Sequence, residues 1–345
     1  MIKIQNIYYM LAYAFQVLNE DSYNKVALED FEYAEDLLAA ILAKGIANQI
    51  KRGLGREYVM HTEAPGSPRG KIKISVSLKE KTLLQKRLVC EYDEFSENAY
   101  INQIIKTTAL MLLRSEEVRA DRKRSLKKVL RYFSAVDAIN PRSIRWASIK
   151  YYSNNATYKM LINICYLVIE ALLPTTQTGS KKVSQFKDEH LHRLYERFVL
   201  AYYRKHYENR GIIVSSSHIG WNTDDGMTDL LPTMKSDIVL EHNEKTLIID
   251  TKYYSRTMQT NSLYNSRTLH SGNLYQIYAY VKNKDIRQTG NVSGLLLYAK
   301  TDEKITPDNS YIISGNRIGV KTLDLDKNFD GIQAQLDRVV EEWLQ

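Results

Sequence analysis

Two periodicities alternate along this chain. Apolar residues recur at helical spacing from Ile7 to Leu18, Leu37 to Ile50, Asn98 to Leu113 and Tyr158 to Leu173. The same spacing returns in Lys187 to Tyr207, Asn273 to Lys282 and Phe329 to Leu344, the last with Ile332, Leu336, Val340 and Trp343 on one face. Arg119 to Arg131 continues as a helix dense in positive charge. Short runs rich in Ile, Val and Leu, bounded by polar punctuation, predict strands at Ser236–Leu240, Thr246–Lys252, Ser293–Ala299, Tyr311–Ser314 and Gly319–Leu323. Tyr58 to Leu78 reads as strands around the turn-forming loop Pro65–Gly70, and Lys71–Leu78 alternates as a half-exposed strand should. Arg256 to Gly272, rich in Asn, Ser and Thr, reads as a polar loop, and Pro174–Lys182 as the domain boundary. No internal repeat is present. The second half runs helix, strands, helix, strand, which predicts an α/β layered domain with a mixed sheet flanked by helices. An α+β domain precedes it.

Composition narrows the class. A length of 345 residues suggests two domains, because single cores stop growing near ~250–300 residues. With 44% hydrophobic and 26% charged residues the chain reads as soluble and globular, and no stretch approaches the ~20 apolar residues of a membrane span. The N-terminus lacks the features of a signal peptide, so no membrane is expected and the cytoplasm is the expected compartment. Cys90 and Cys165 sit among apolar neighbours and read as buried free thiols. A formal charge of +8 favours a polyanionic partner. The basic Arg119–Arg131 helix is either a solvated face or a contact for nucleic acid or a partner.

The chemistry concentrates in the two adjacent strands around Glu241–Lys245. A turn centred on Asn243-Glu244 sets Asp237 opposite Asp250, and opposed side chains have Cβ atoms about 4.5–5.5 Å apart. Two carboxylates at that separation can grip one cation. Alternation puts Lys252 on the face of Asp250 and turns Thr251 away. Asp-x-Lys also occurs at Asp121/Lys123 and Asp302/Lys304, where a solvated surface pair is the simpler reading. A structural Asp250–Lys252 salt bridge would also account for the second copy. Burying unpaired carboxylates costs several kcal/mol, so the pair needs a cation or strong pairing.

This hairpin between helices resembles the PD-(D/E)XK nuclease fold, and Gln276 and Tyr280 match the Gln-x-x-x-Tyr pattern of its RecB-like branch. Asn6–Ala14, Leu231–Asp237, Ile249–Tyr254 and Asn273–Tyr278 together resemble the McrC family, the nuclease subunits of McrBC-type modification-dependent restriction systems. The motif's leading proline is absent; Ser236 precedes Asp237. The resemblance implies an N-terminal region, residues 1–170, that binds and stimulates a McrB-like hexameric AAA+ GTPase, and a nuclease at 171–345 that cleaves double-stranded DNA containing modified (methylated) cytosine. It implies Mg²⁺ held by Asp237, Asp250 and the Thr251 carbonyl, with Glu196 of the preceding helix as a further candidate ligand. Lys252 then positions the attacking water, and Gln276 and Tyr280 orient the lysine or touch a phosphate. GTP is handled by the partner, since this chain has no Gly-x-x-x-x-Gly-Lys-Ser/Thr loop. Arg69, at a loop tip, is either a partner contact or plain surface. Two other functions fit the same residues: a non-catalytic activator of the partner GTPase, and an autonomous RecB-like nuclease.

Overall fold

The computed structural model describes residues 3–19, 23, 26, 29–149, 155–172, 188–253, 259–261, 266–300 and 306–344. The chain forms two compact units, one of residues 32–183 and the other of residues 1–31 with 184–345. The first helix, α1 (Ile4–Ala14), thus counts with the C-terminal unit. This differs from the division at residues 170 and 171 expected from the sequence. The Pro174–Lys182 segment singled out there lies outside the described residues.

The 32–183 unit begins with α2 (Ala34–Arg52). Glu35 and Asp36 lie in its first turn and Lys51 and Arg52 in its last, each complementing the helix dipole. Next come β1 (Glu57–Glu63), β2 (Lys71–Ile72), α3 (Ile74–Lys79) and β3 (Cys90–Ser96), the strands pairing antiparallel in the order β1-β3-β2. The alternating strand expected over Lys71–Leu78 therefore stops after Ile72. Ser77 explains the helix that replaces it: its buried hydroxyl donates to the Lys73 carbonyl and accepts the Val89 N–H, which ties one helical turn to the chain ahead of β3. Further α-helices among the described residues of this unit are α4 (Tyr100–Arg114), α5 (Ala120–Leu130) and α6 (Ala156–Leu172). Tyr158 ties them to the α2–β1 turn, donating to Asn102 Oδ1 at 2.7 Å and accepting the Gly55 N–H at 2.6 Å. Arg69 is not a bare loop tip, for its guanidinium lies over the Tyr92 ring and pairs with Glu94. Cys90 and Cys165 are buried and free, as their apolar neighbours predict.

The other unit resumes with α7 (Asp188–Tyr207), then β4 (Ile213–Ser215), β5 (His218–Ile219), β6 (Met234–Lys235), β7 (Ile238–His242) and β8 (Lys245–Lys252). β9 (Gln259–Asn261) and β10 (Ser266–Thr268) form a small antiparallel pair inside the stretch read as a polar loop. α8 (Ser271–Lys284), β11 (Val292–Ala299), β12 (Asn309–Ile313), β13 (Asn316–Leu323) and α9 (Phe329–Trp343) follow. Six strands form one sheet in the order β12-β13-β11-β8-β7-β4. Its centre, β8-β11-β13, is parallel and its outer pairings are antiparallel, so the sheet is mixed.

β8 is buried from Leu247 to Lys252, as a central strand covered on both faces must be. On one face Ile277 and Val281 of α8 press on Gly294, where an added Cβ would come within 2.7 Å of both. Asn328 caps α9, and Ile332, Leu336, Val340 and Trp343 are buried as its periodicity predicts. α1 is fastened beside that helix. Asn6 Nδ2 donates to the carbonyls of Leu325 and Lys327 at 2.7 and 2.8 Å, and Tyr9 stacks on Phe329 with centroids 4.4 Å apart. Among the described residues no helix is long and apolar enough to cross a membrane.

Candidate active site

The hairpin has the expected register. Ile238 pairs with Ile249 and His242 with Lys245, and Asn243 turns the chain with φ of +53°, a conformation asparagine tolerates well. The position opposite Asp250 is therefore Asp237, one residue before β7. There the main-chain ladder ends in a side chain. Asp237 Oδ2 accepts the Thr251 N–H at 2.7 Å and the Thr251 hydroxyl at 2.8 Å. Thr251 is not idle on its face of the strand; it fixes the first acid. Ser236 anchors the approach to Asp237 instead of a proline. It is fully buried, and both its N–H and its hydroxyl donate to the Ser217 carbonyl, at 3.1 and 3.0 Å.

On the other face of β8, Lys252 Nζ lies 2.6 Å from Asp250 Oδ2, with the carboxylate 1% and the lysine 8% exposed. The ammonium also donates to Gln276 Oε1 at 3.2 Å. Gln276 Nε2 donates to the Tyr280 hydroxyl at 2.9 Å, and that hydroxyl donates to the Lys235 carbonyl at 3.1 Å. The i,i+4 pair on α8 thus joins the lysine to the strand that leads into Asp237.

The close ion pair does not fully offset the burial of Asp250. Its carboxyl is raised to about 6, chiefly by loss of water. The Lys252 charge pulls it down and the Asp237 charge pushes it up, with a smaller upward push from Glu196. Asp250 Oδ2 accepts no hydrogen bond in normal geometry, so its contact with Lys252 is one of charge.

α7 adds two side chains one turn apart. Glu196 is raised by burial and by the Asp237 charge, with Lys235, Arg197 and Arg193 opposing. It senses the acid it was expected to join, and the surface arginines as well. His192 was missed in the sequence. Burial chiefly lowers its pKa, the Asp237 charge raises it and the Lys252 charge lowers it, so the imidazole sits within electrostatic reach of both. The His192/Glu196 spacing of four was the available signal, and it is shared by any polar helix face. Among the described residues no three His, Cys, Asp or Glu side chains converge as a metal-holding group. Glu196, Asp237 and Asp250 thus form no three-acid cage as they are packed.

Two features fit a hard divalent cation nonetheless. Asp250 keeps a buried oxygen without a hydrogen bond, and a second carboxylate is near enough to raise its pKa. The arrangement can polarise an oxygen ligand near Asp250 while presenting the Lys252 ammonium beside it.

Comparison with known proteins follows the same motifs. The family described as McrBC 5-methylcytosine restriction system component matches residues 3–299. A curated relative from Escherichia coli strain K12, the type IV methyl-directed restriction enzyme EcoKMcrBC, is 26% identical over 353 residues, covering 100% of this chain and 99% of its own length. Among solved structures, a half-complex of Thermococcus gammatolerans McrB AAA+ hexamers with bound McrC aligns at 14% identity and a TM-score of 0.47. It covers 97% of this chain and 76% of that one. A cryo-EM structure of the Thermococcus gammatolerans McrBC complex aligns at 19% identity and a TM-score of 0.40, covering 57% and 56%. With the family matching from residue 3 to residue 299, the chain belongs to the McrBC 5-methylcytosine restriction system components, in keeping with the McrC resemblance of its motifs.

Proposed function

We propose that this chain is the DNA endonuclease subunit of a restriction complex that cuts DNA containing modified cytosine, with its nuclease site in a PD-(D/E)XK arrangement at Asp237, Asp250 and Lys252. It acts with a McrB-like AAA+ GTPase, which reads the DNA and hydrolyses GTP. The observation that carries this reading is the hairpin register, which sets Asp237 opposite a buried Asp250 whose lysine shares its face.

Asp237 and Asp250 would hold Mg²⁺. When bound, the ion polarises the scissile phosphate and stabilises charge on its oxygens. The chain's own groups do the rest. Thr251 fixes Asp237 through two hydrogen bonds, so that carboxylate needs little reorganisation. Lys252, held between Asp250 and Gln276, orients the attacking water and offsets the negative charge that develops. With a carboxylate at 2.6 Å it serves as a cation, not as a base. Tyr280 and Gln276 hold the lysine's direction. His192 of α7 lies within electrostatic reach of Asp237 and Lys252.

The test is a matrix of purified chain with methylated or unmethylated DNA, with or without the partner GTPase, in GTP and Mg²⁺. Cutting that needs the partner and the methylated substrate, and that vanishes in Asp250→Ala while partner binding persists, is expected. Normal cutting by Asp250→Ala would remove this site from the reaction.

A further inference from the structure

The positive charge of this chain is not spread evenly. Residues 32–183 hold 26 Lys and Arg against 15 Asp and Glu, a net +11, whereas the unit with the candidate active site holds 22 against 25, a net −3. The excess positive charge that would attract a polyanion resides in the 32–183 unit.

Within that unit the charge has a focus. From Arg119 to Arg131 there are seven basic residues and one acid, Asp121. α5 turns Leu126 and Val129 inward, and Phe133 just beyond it continues the buried stripe. At about 100° per residue, Arg124, Lys127, Lys128 and Arg131 fall within an arc of roughly 100° on the opposite side. All four are exposed, and none pairs with a carboxylate among the described residues. Their neighbours are otherwise engaged: Arg119 is bound to Asp36 at 2.7 Å, and Arg122 lies near Asp121. Tyr132, 61% exposed, adds an aromatic ring at the end of the stripe.

A solvated helix face ordinarily intersperses both signs of charge, as i,i+4 pairing favours. This face carries one sign only. From residue 124 to 131 a helix rises about 10 Å, a length over which duplex DNA presents about six phosphates. We infer that the outer face of α5, through Arg124, Lys127, Lys128 and Arg131, is a binding surface for the phosphate backbone of double-stranded DNA. It holds DNA without reading sequence, since long flexible cations on phosphates carry no base information. This rests on the reading above only in taking DNA as the polyanion, and it is tested without cleavage.

The experiment titrates a fluorescein-labelled duplex with the full chain in the absence of divalent ions, at several salt concentrations. The quadruple variant Arg124→Gln, Lys127→Gln, Lys128→Gln, Arg131→Gln is compared with wild type and with a charge-matched control, Lys79→Gln, Lys81→Gln, Lys86→Gln, Arg87→Gln, on other exposed positions of the same unit. The slope of log K against log salt should fall by about 3–4 in the α5 variant, at about 0.9 per phosphate contact. Across a fourfold change in salt, wild type should then lose about 100-fold more affinity than the variant. The control should keep most of the wild-type slope. Equal losses in both variants, an unchanged slope in the α5 variant, or a wild-type chain that does not bind the duplex would each overturn the inference. So would lost binding of the partner GTPase with DNA binding intact, which would assign the face to a protein. Circular dichroism of both variants checks that they fold. An Asp250→Ala chain that binds DNA like wild type yet fails to cut separates this surface from the catalytic reading.

Discussion

Replacing Asp250 with Asn should stabilise the protein above neutral pH when divalent ions are withheld. Asparagine is nearly isosteric with protonated aspartate and leaves Lys252 in the same surroundings. Burial raises the Asp250 carboxyl from 3.8 to about 6. A carboxyl whose folded pKa is raised contributes stability while it holds its proton. That contribution is complete below 3.8 and is lost as pH rises through about 6. A shift of roughly two units corresponds to about 3 kcal/mol at pH 8, falling to about 0.5 kcal/mol at pH 4. The Asn variant should therefore outlast wild type by up to that amount at pH 8 in a chelator, with the gap closing as the buffer is acidified. Urea denaturation followed by far-UV circular dichroism at pH 8, 6 and 4 measures it. Added Mg²⁺ should narrow the gap by stabilising wild type alone, through mass action on the folded state. If Asp250→Asn is less stable than wild type at pH 8 without divalent ions, the 2.6 Å ion pair outweighs the loss of water, and the argument fails.

Two further outcomes are expected. Tyr280→Phe removes the hydroxyl that joins Gln276 to the Lys235 carbonyl, which should lower DNA cleavage about tenfold through a less well-held Lys252 while costing only about 1 kcal/mol of stability. Rates of plasmid cutting and a thermal melt read the two effects separately. Asn6→Ala deprives the Leu325 and Lys327 carbonyls of their donor, and thermal unfolding should show a loss of about 2–3 kcal/mol.

The hairpin was legible because two local signals agree on one register, the polar turn and the period of two. Gln276 and Tyr280 were legible for a similar reason, since i,i+4 on a helix places both toward the same neighbour. Residues 71–78 were misread because Ile72, Ile74, Val76 and Leu78 alternate as a strand would, while the deciding contact runs from Ser77 to Val89. A buried serine hydroxyl leaves no mark on periodicity. His192 was missed because a histidine and a glutamate four apart describe any solvated helix, and only the fold brings both within reach of the Asp237 charge. The membership of α1 in the C-terminal unit was invisible because its acceptors are more than 300 residues away in sequence.

That last tie bears on how the chain comes to be folded. Asn6 is synthesised 319 residues ahead of its acceptor at Leu325. The intervening residues 32–183 have a core of their own and can settle first. Tyr13 finds native cover once Phe198 and Tyr202 of α7 have been made, whereas Asn6 and Tyr9 wait for residues 325–329, so translation must keep that side of α1 soluble across the whole 32–183 unit.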